Sequence, residues 1–76
     1  MNDSLEHALN SEMISLVVTY RDDRNESVRT AVVMIPEGAY YLIPFRLRAQ
    51  GRKVRGVISF YREESPETVT FWKDIA

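Results

Sequence analysis

From Met13 onward, apolar residues recur at every second position, and this period restricts the chain more than any other feature. Leu16, Val18 and Tyr20 share one face of an extended segment, with Val17 and Thr19 on the other. β-branched side chains favour a strand here. After a polar turn, Arg21 to Glu26, the alternation resumes with Val28, Thr30, Val32 and Met34 on one side and Ala31, Val33 and Ile35 on the other. Two such runs across a charged turn predict a hairpin over about 14–21 and 27–35.

Pro36-Glu37-Gly38 interrupts the pattern. Beyond it Tyr41, Ile43, Phe45, Leu47 and Ala49 alternate with Arg46, Arg48 and Gln50, which predicts a third strand over about 39–49. Pro44 marks that strand as an edge or a bulge, because proline donates nothing to a ladder. The competing reading is a helix from 37 to 50, which holds Pro44 in its interior at a cost of about 3 kcal/mol. Gly51 turns the chain, and Val54, Ile58 and Phe60 form the apolar face of a fourth strand over about 53–62. Glu63 to Glu67, with Pro66, is a loop, and Val69 and Phe71 against Thr70 and Trp72 predict a fifth strand over about 68–73. Ahead of the strands, Asp3 and Glu6 have the spacing of a capping box, and Leu5, Ala8, Leu9 and Met13 fall on one helical face. A short helix over 4–12 is expected. The fold class is therefore α+β and mainly β: a helix followed by about five antiparallel strands in a meander, wrapped into a partly closed SH3- or Sm-like barrel.

A chain of 76 residues holds one domain. At this size folding buries only roughly 60% of the surface the unfolded chain exposes, which leaves little room for a deep pocket. The absence of cysteine excludes disulfides and cysteine-based zinc sites and points to a reducing, cytoplasmic location. The first residues are acidic and polar, unlike a secretory signal, and no apolar run approaches the roughly 20 residues that span a bilayer.

Two segments carry a family resemblance. Residues 51–60, Gly-Arg-Lys-Val-Arg-Gly-Val-Ile-Ser-Phe, resemble the second strand of Hfq-type Sm proteins, and Phe71-Trp72-Lys73-Asp74-Ile75 resembles their approach to the last strand. Over nearly the whole chain the order is similar to that of the WYL domain, itself an Sm-like barrel. Val18-Thr19-Tyr20-Arg21-Asp22 and Ile35-Pro36 match its early strands, and Tyr40-Tyr41-Leu42 stands where its Trp-Tyr-Leu motif belongs. Residues 46–62 then form an inserted or extended hairpin. The resemblance implies a ligand-sensing or nucleic-acid-contacting barrel rather than an enzyme.

The residues themselves give little support to catalysis. His7 is the single histidine, so no metal-ligand cluster is expected, and no cofactor. Asp22-Asp23 and Glu63-Glu64 are neighbours whose side chains diverge on an extended chain. No serine has an evident histidine partner, and no Lys-Ser or Lys-Thr follows Gly51 and Gly56 as a phosphate loop requires. The charge distribution is more informative. Although the net charge is −1, the span from Gly38 to Arg62 holds Arg46, Arg48, Arg52, Lys53, Arg55 and Arg62 with no Asp or Glu. On the predicted hairpin Tyr40, next to Tyr41, shares a face with Arg46 and Arg48, and Tyr61 shares one with Lys53 and Arg55. Trp72 lies opposite the Val69 and Phe71 face and reads equally as core or as anchor. The candidate binding set is Tyr40, Tyr41, Arg46, Arg48, Arg52, Lys53, Arg55, Tyr61 and Trp72. The expected partner is an acidic protein surface, as for a regulator or inhibitor of a larger complex, with no membrane. The alternative is RNA or single-stranded DNA, whose phosphates arginines neutralise and whose bases stack on aromatics for about 1–3 kcal/mol each. Edge strand 39–49 is also expected to offer a route to a homodimer or higher oligomer.

Overall fold

The computed structural model describes residues 12–24 and 27–75, so the expected helix over 4–12 lies outside the described residues except for Glu12, which precedes the first strand. β1 (Met13–Asp22) and β2 (Val28–Pro36) form the expected hairpin, in unbroken register from Met13 opposite Pro36 to Arg21 opposite Val28. β3 (Val54–Arg62) pairs antiparallel with the other side of β1, and the two-residue β4 (Thr70–Phe71) pairs with β3. The spatial order is β2-β1-β3-β4 in one open sheet.

This arrangement corrects the barrel and the meander. β2 and β3 both run antiparallel to β1 and are therefore parallel to each other, and parallel strands need a crossover rather than a tight turn. Residues 39–49 supply that crossover and are not a strand. They form a 3₁₀ turn (Tyr40–Leu42) leading directly into helix α1 (Ile43–Ala49). Pro44 is compatible because the helix begins at Ile43, and in a first turn the missing N–H has no intrahelical partner to lose. The interior cost that argued against a helix applies only if the helix begins near 37. With no strand at 39–49, the expected edge-to-edge pairing through that segment disappears as well. The fifth strand shrinks to Thr70–Phe71, followed by a 3₁₀ turn (Trp72–Asp74).

The helix ends with defined chemistry. The Gly51 N–H donates to the Arg48 carbonyl at 2.9 Å and the Arg52 N–H to the Leu47 carbonyl at 3.3 Å, the two reversed bonds of a Schellman motif. Gly51 makes this possible with φ +84, a conformation that side chains with a Cβ rarely adopt. The chain is thereby turned back toward β3.

The core lies between the sheet and α1. Ile14, Leu16, Val18 and Tyr20 from β1 meet Ala31, Val33 and Ile35 from β2 and Val54, Val57 and Phe60 from β3, under Ile43 and Leu47 of the helix. Full burial of a side chain such as Ile43 or Leu47 is worth about 1.5–3 kcal/mol. In β3 the buried positions are 54, 57 and 60 rather than 54, 58 and 60. The register with β1 shifts between Thr19 and Tyr20 and again between Arg21 and Asp22, so extra residues in β3 change which side chains point inward. Tyr40, Leu42, Trp72 and Ile75 pack against the rim of this core.

Asp22 closes the hairpin end of the sheet. Its carboxylate is buried, accepts the Arg24 amide at 2.8 Å and pairs with Arg29 Nε at 3.0 Å. The Arg24 amide, and then the positive charges of Arg29 and Arg24, hold the carboxyl below its ordinary value of 3.8, although burial opposes them. A folded pKa below the unfolded one stabilises the native state above the unfolded value and loses that contribution as pH falls through the folded value. Asp22→Asn should therefore lower stability at neutral pH, and its deficit relative to the wild type should narrow once the pH drops below 3.8. Denaturant midpoints measured across acid pH check this. A deficit that does not vary with pH would remove the carboxylate from the account.

Candidate functional site

Four cations and two aromatics lie along α1, the turn that leads into it and the loop behind it. With Ile43 and Leu47 turned into the core, successive helical steps of about 100° place Phe45 on the opposite side, with Arg46 and Arg48 flanking it. Tyr41, four residues before Phe45, continues the same exposed stripe, and both rings are 64% exposed. Arg46 and Arg48 are exposed, and so is Lys53 past the Schellman turn. Arg48, Arg52 and Lys53 line one open depression together with Asp23, Gly51 and Val54.

The partners of these cations are mostly neutral. Arg48 Nη2 donates to the Val54 carbonyl at 3.4 Å, at the long end of hydrogen-bond reach. Arg52 Nε donates to Gln50 Oε1 at 2.9 Å and its Nη1 to the Tyr20 hydroxyl at 3.0 Å, while its guanidinium lies 5.8 Å from the Tyr20 ring centre. Tyr20 is almost wholly buried, so Arg52 supplies the partner its hydroxyl needs. The ion pairs seen among the described residues, Arg29 with Asp22 and Arg62 with Glu37 at 2.6 Å, use other arginines. Glu37 first, and the Tyr40 hydroxyl second, raise the pKa of Arg62 further above its already high value. Part of the case for Arg46 and Arg48 is local, because cations in the last turn of a helix complement its dipole for about 0.3–1 kcal/mol.

The other sequence-selected residues are dispersed. Tyr40 is half-buried and stacks on Phe60 with ring centres 5.0 Å apart. Trp72 is half-buried against the core, which resolves its ambiguity toward packing. Arg55 lies in β3 and lines a separate depression with Arg21, Gly56 and Ile58. Tyr61 sits opposite Val17, on the face of the sheet turned away from the helix. Of the nine candidates, Arg48, Arg52 and Lys53 thus share one depression past the end of α1 and Tyr40 and Tyr41 another at its start, Arg46 is exposed on the helix between them, and Arg55, Tyr61 and Trp72 lie elsewhere. Phe45, which the alternation puts on the apolar side of the expected strand and outside the candidate set, is exposed in the structure. Its signal was present in the spacing Tyr41, Phe45, Arg48, which follows a helical stripe once Ile43 and Leu47 are taken as the buried pair.

Among the described residues no group of three or more His, Cys, Asp or Glu side chains is placed to hold a metal ion. No helix there is long and apolar enough to cross a membrane. No known protein family, curated protein or solved structure matches the chain.

The link between Arg52 and Tyr20 can be tested directly. Arg52→Ala and Tyr20→Phe should each destabilise the fold by about 1 kcal/mol. The double variant should cost clearly less than the two singles added, because both remove the same bond. Urea unfolding of the four proteins measures this, and strict additivity would show that the contact carries no coupling.

Proposed function

We propose that this chain is a small, non-catalytic binding protein that docks an acidic protein surface through the outer side of α1, as a regulator or inhibitor of a larger complex. The observation that carries this reading is the pair of 64% exposed rings, Tyr41 and Phe45, flanked by cations that no carboxylate among the described residues neutralises. Aromatics and arginines are the residue types that most often anchor protein interfaces, because they bury large area and still make directed polar contacts. Arg46, Arg48 and Lys53 steer an acidic partner toward the rings, and Arg52 contributes charge while its geometry is held by Tyr20. The lack of cysteine suits a cytoplasmic site of action.

A second reading rests on the same residues. Exposed rings beside guanidinium groups also stack on the bases of RNA or single-stranded DNA. The dispersal of Tyr40 and Tyr61 away from the cations leaves a shorter platform than such binding usually uses, which favours the protein partner.

Affinity capture with the wild type, Phe45→Asp and the double variant Arg46→Glu/Arg48→Glu separates these readings. The wild type should retain an acidic protein whose retention weakens with salt. Each variant should lose it by about 30-fold or more in affinity, as expected for anchor residues worth at least 2 kcal/mol. Retention unchanged in both variants would clear α1 of any docking role. Tight binding of a labelled oligonucleotide at low salt, falling steeply as salt rises, would replace the protein reading with the nucleic-acid one.

A further inference from the structure

Among the described residues one helix covers one face of the sheet, and none covers the other. The pairing register defines that open face. Across the strands run Met34, Ser15 and Glu63, then Val32, Val17 and Tyr61, then Thr30, Thr19, Ser59 and Phe71, then Val28, Arg21 and Gly56. Glu63 joins the first row because its N–H donates to the Ser15 carbonyl at 3.0 Å, one step beyond the Leu16 and Arg62 pair. Met13, Val28, Val32, Met34 and Phe71 are all exposed large apolar residues. Such side chains are unusual on a solvent-facing sheet surface, where polar residues ordinarily alternate with the core positions.

The face is also polar along its length. Glu12, Glu63 and Glu64 line a depression with Met13, Ser15 and Arg62 at one end, where Arg62 is paired with Glu37, and Arg21 and Arg55 line another at the opposite end. Ser15, beside Glu63, and Arg21 are six residues apart on β1, or roughly 20 Å at the rise of a strand. A face with exposed apolar side chains along it, acidic at one end and basic at the other, is complementary to itself when one copy is reversed on another.

We infer that a second copy of this chain packs face to face on this surface, with a two-fold axis lying in the interface across the strands near Val17 and Thr19. Two in-plane axes are open to stacked sheets. An axis along the strands stacks the basic ends on each other and the acidic ends on each other. An axis across the strands brings Arg21 of each copy over Ser15 of the other, one strand spacing of about 4.8 Å from its Glu63, and the charges select it. β2, β1 and β3 at about 4.8 Å spacing over about eight residues, with the two residues of β4, present roughly 400 Å² per copy, so a pair buries about 800 Å², the size of a weak, concentration-dependent association. Sheet-on-sheet packing of this kind makes a sandwich with α1 of each copy on the outside, so the helical docking surface remains accessible in the dimer.

Sedimentation equilibrium of the full chain should give twice the 8.8 kDa chain mass at micromolar to millimolar concentration. Val32→Lys and Met34→Lys alter exposed side chains and should keep the circular dichroism spectrum while raising the dimer dissociation constant at least tenfold. Arg21→Glu and Glu63→Arg should each weaken the dimer, and the double variant Arg21→Glu/Glu63→Arg should restore it, since the reversed charges again meet across the axis. Phe45→Asp, on the other side of the molecule, should leave the dimer unchanged, which keeps this inference separable from the docking role of α1. A wild type of single-chain mass at the highest concentration would overturn the inference and leave the face to another occupant. Full dimerisation of the lysine variants, or failure of the double reversal to rescue, would overturn it equally.

Discussion

The constraint on which everything else depends is that β1 is paired on both sides by strands running the same way. Two neighbours parallel to each other cannot be joined by a tight turn, so the chain between β2 and β3 must leave the sheet, cross over β1 and return. Among the described residues that crossing segment is the layer above the sheet. Its inward residues, Ile43 and Leu47, complete the core, and its outward residues, Tyr41, Phe45, Arg46 and Arg48, become the most prominent side chains on that side. The candidate docking surface is thus a by-product of topology: a helix seven residues long, held at both ends, can bury only one stripe.

The arginines illustrate how similar residues acquire different roles from position. Arg29 and Arg62 are spent on carboxylates and lock the hairpin end and the Pro36 corner of the fold. Arg52 is bound to neutral partners, chiefly the hydroxyl of the buried Tyr20. Arg46, Arg48 and Lys53 remain exposed, with Arg48 tied only through a long bond to a carbonyl. A carbonyl or hydroxyl partner orders a guanidinium without cancelling its charge, so three cations and the one carboxylate of Asp23 line the depression past α1 even though the chain as a whole carries a net charge of −1.

The described sheet and its one helix have a built-in asymmetry. The face beneath α1 carries Leu16, Val18, Tyr20, Val33 and Ile35, all essentially out of solvent, and the other face carries Val28, Val32 and Met34 still exposed. In a larger protein a second layer covers such a face. Here the acidic and basic ends of the open face supply the orientation that a second copy requires, while the rings on α1 face away from it. The two surfaces are therefore compatible in one molecule, one for self-association and one for a partner.

Much of this was written in local pattern. Strict period-two alternation in residues 13–36 specifies the β1–β2 hairpin and which side chains point inward, because a one-residue slip exchanges the two faces. The run of cations between Gly38 and Arg62 was equally plain, and so were the turn at Gly51 and the strand that follows it. Residues 41–49 were misread because Ile43 and Leu47 are four apart, a spacing that fits both a strand and a helix. Phe45, which distinguishes the two, is apolar and so fits the alternation of a strand, and Pro44 excludes only a helix that begins well before it. The inward set of β3 was misread because bulges are created by pairing with β1 and leave no local trace. Local patterning thus decided where the strands lie and where positive charge accumulates. Only tertiary structure decided that β3 joins the far side of β1. That step turned a meander into a crossover, placed Arg46 and Arg48 on a helix rather than a ribbon, and sent Arg55 and Tyr61 elsewhere, because strand order is set by pairing between segments distant in sequence.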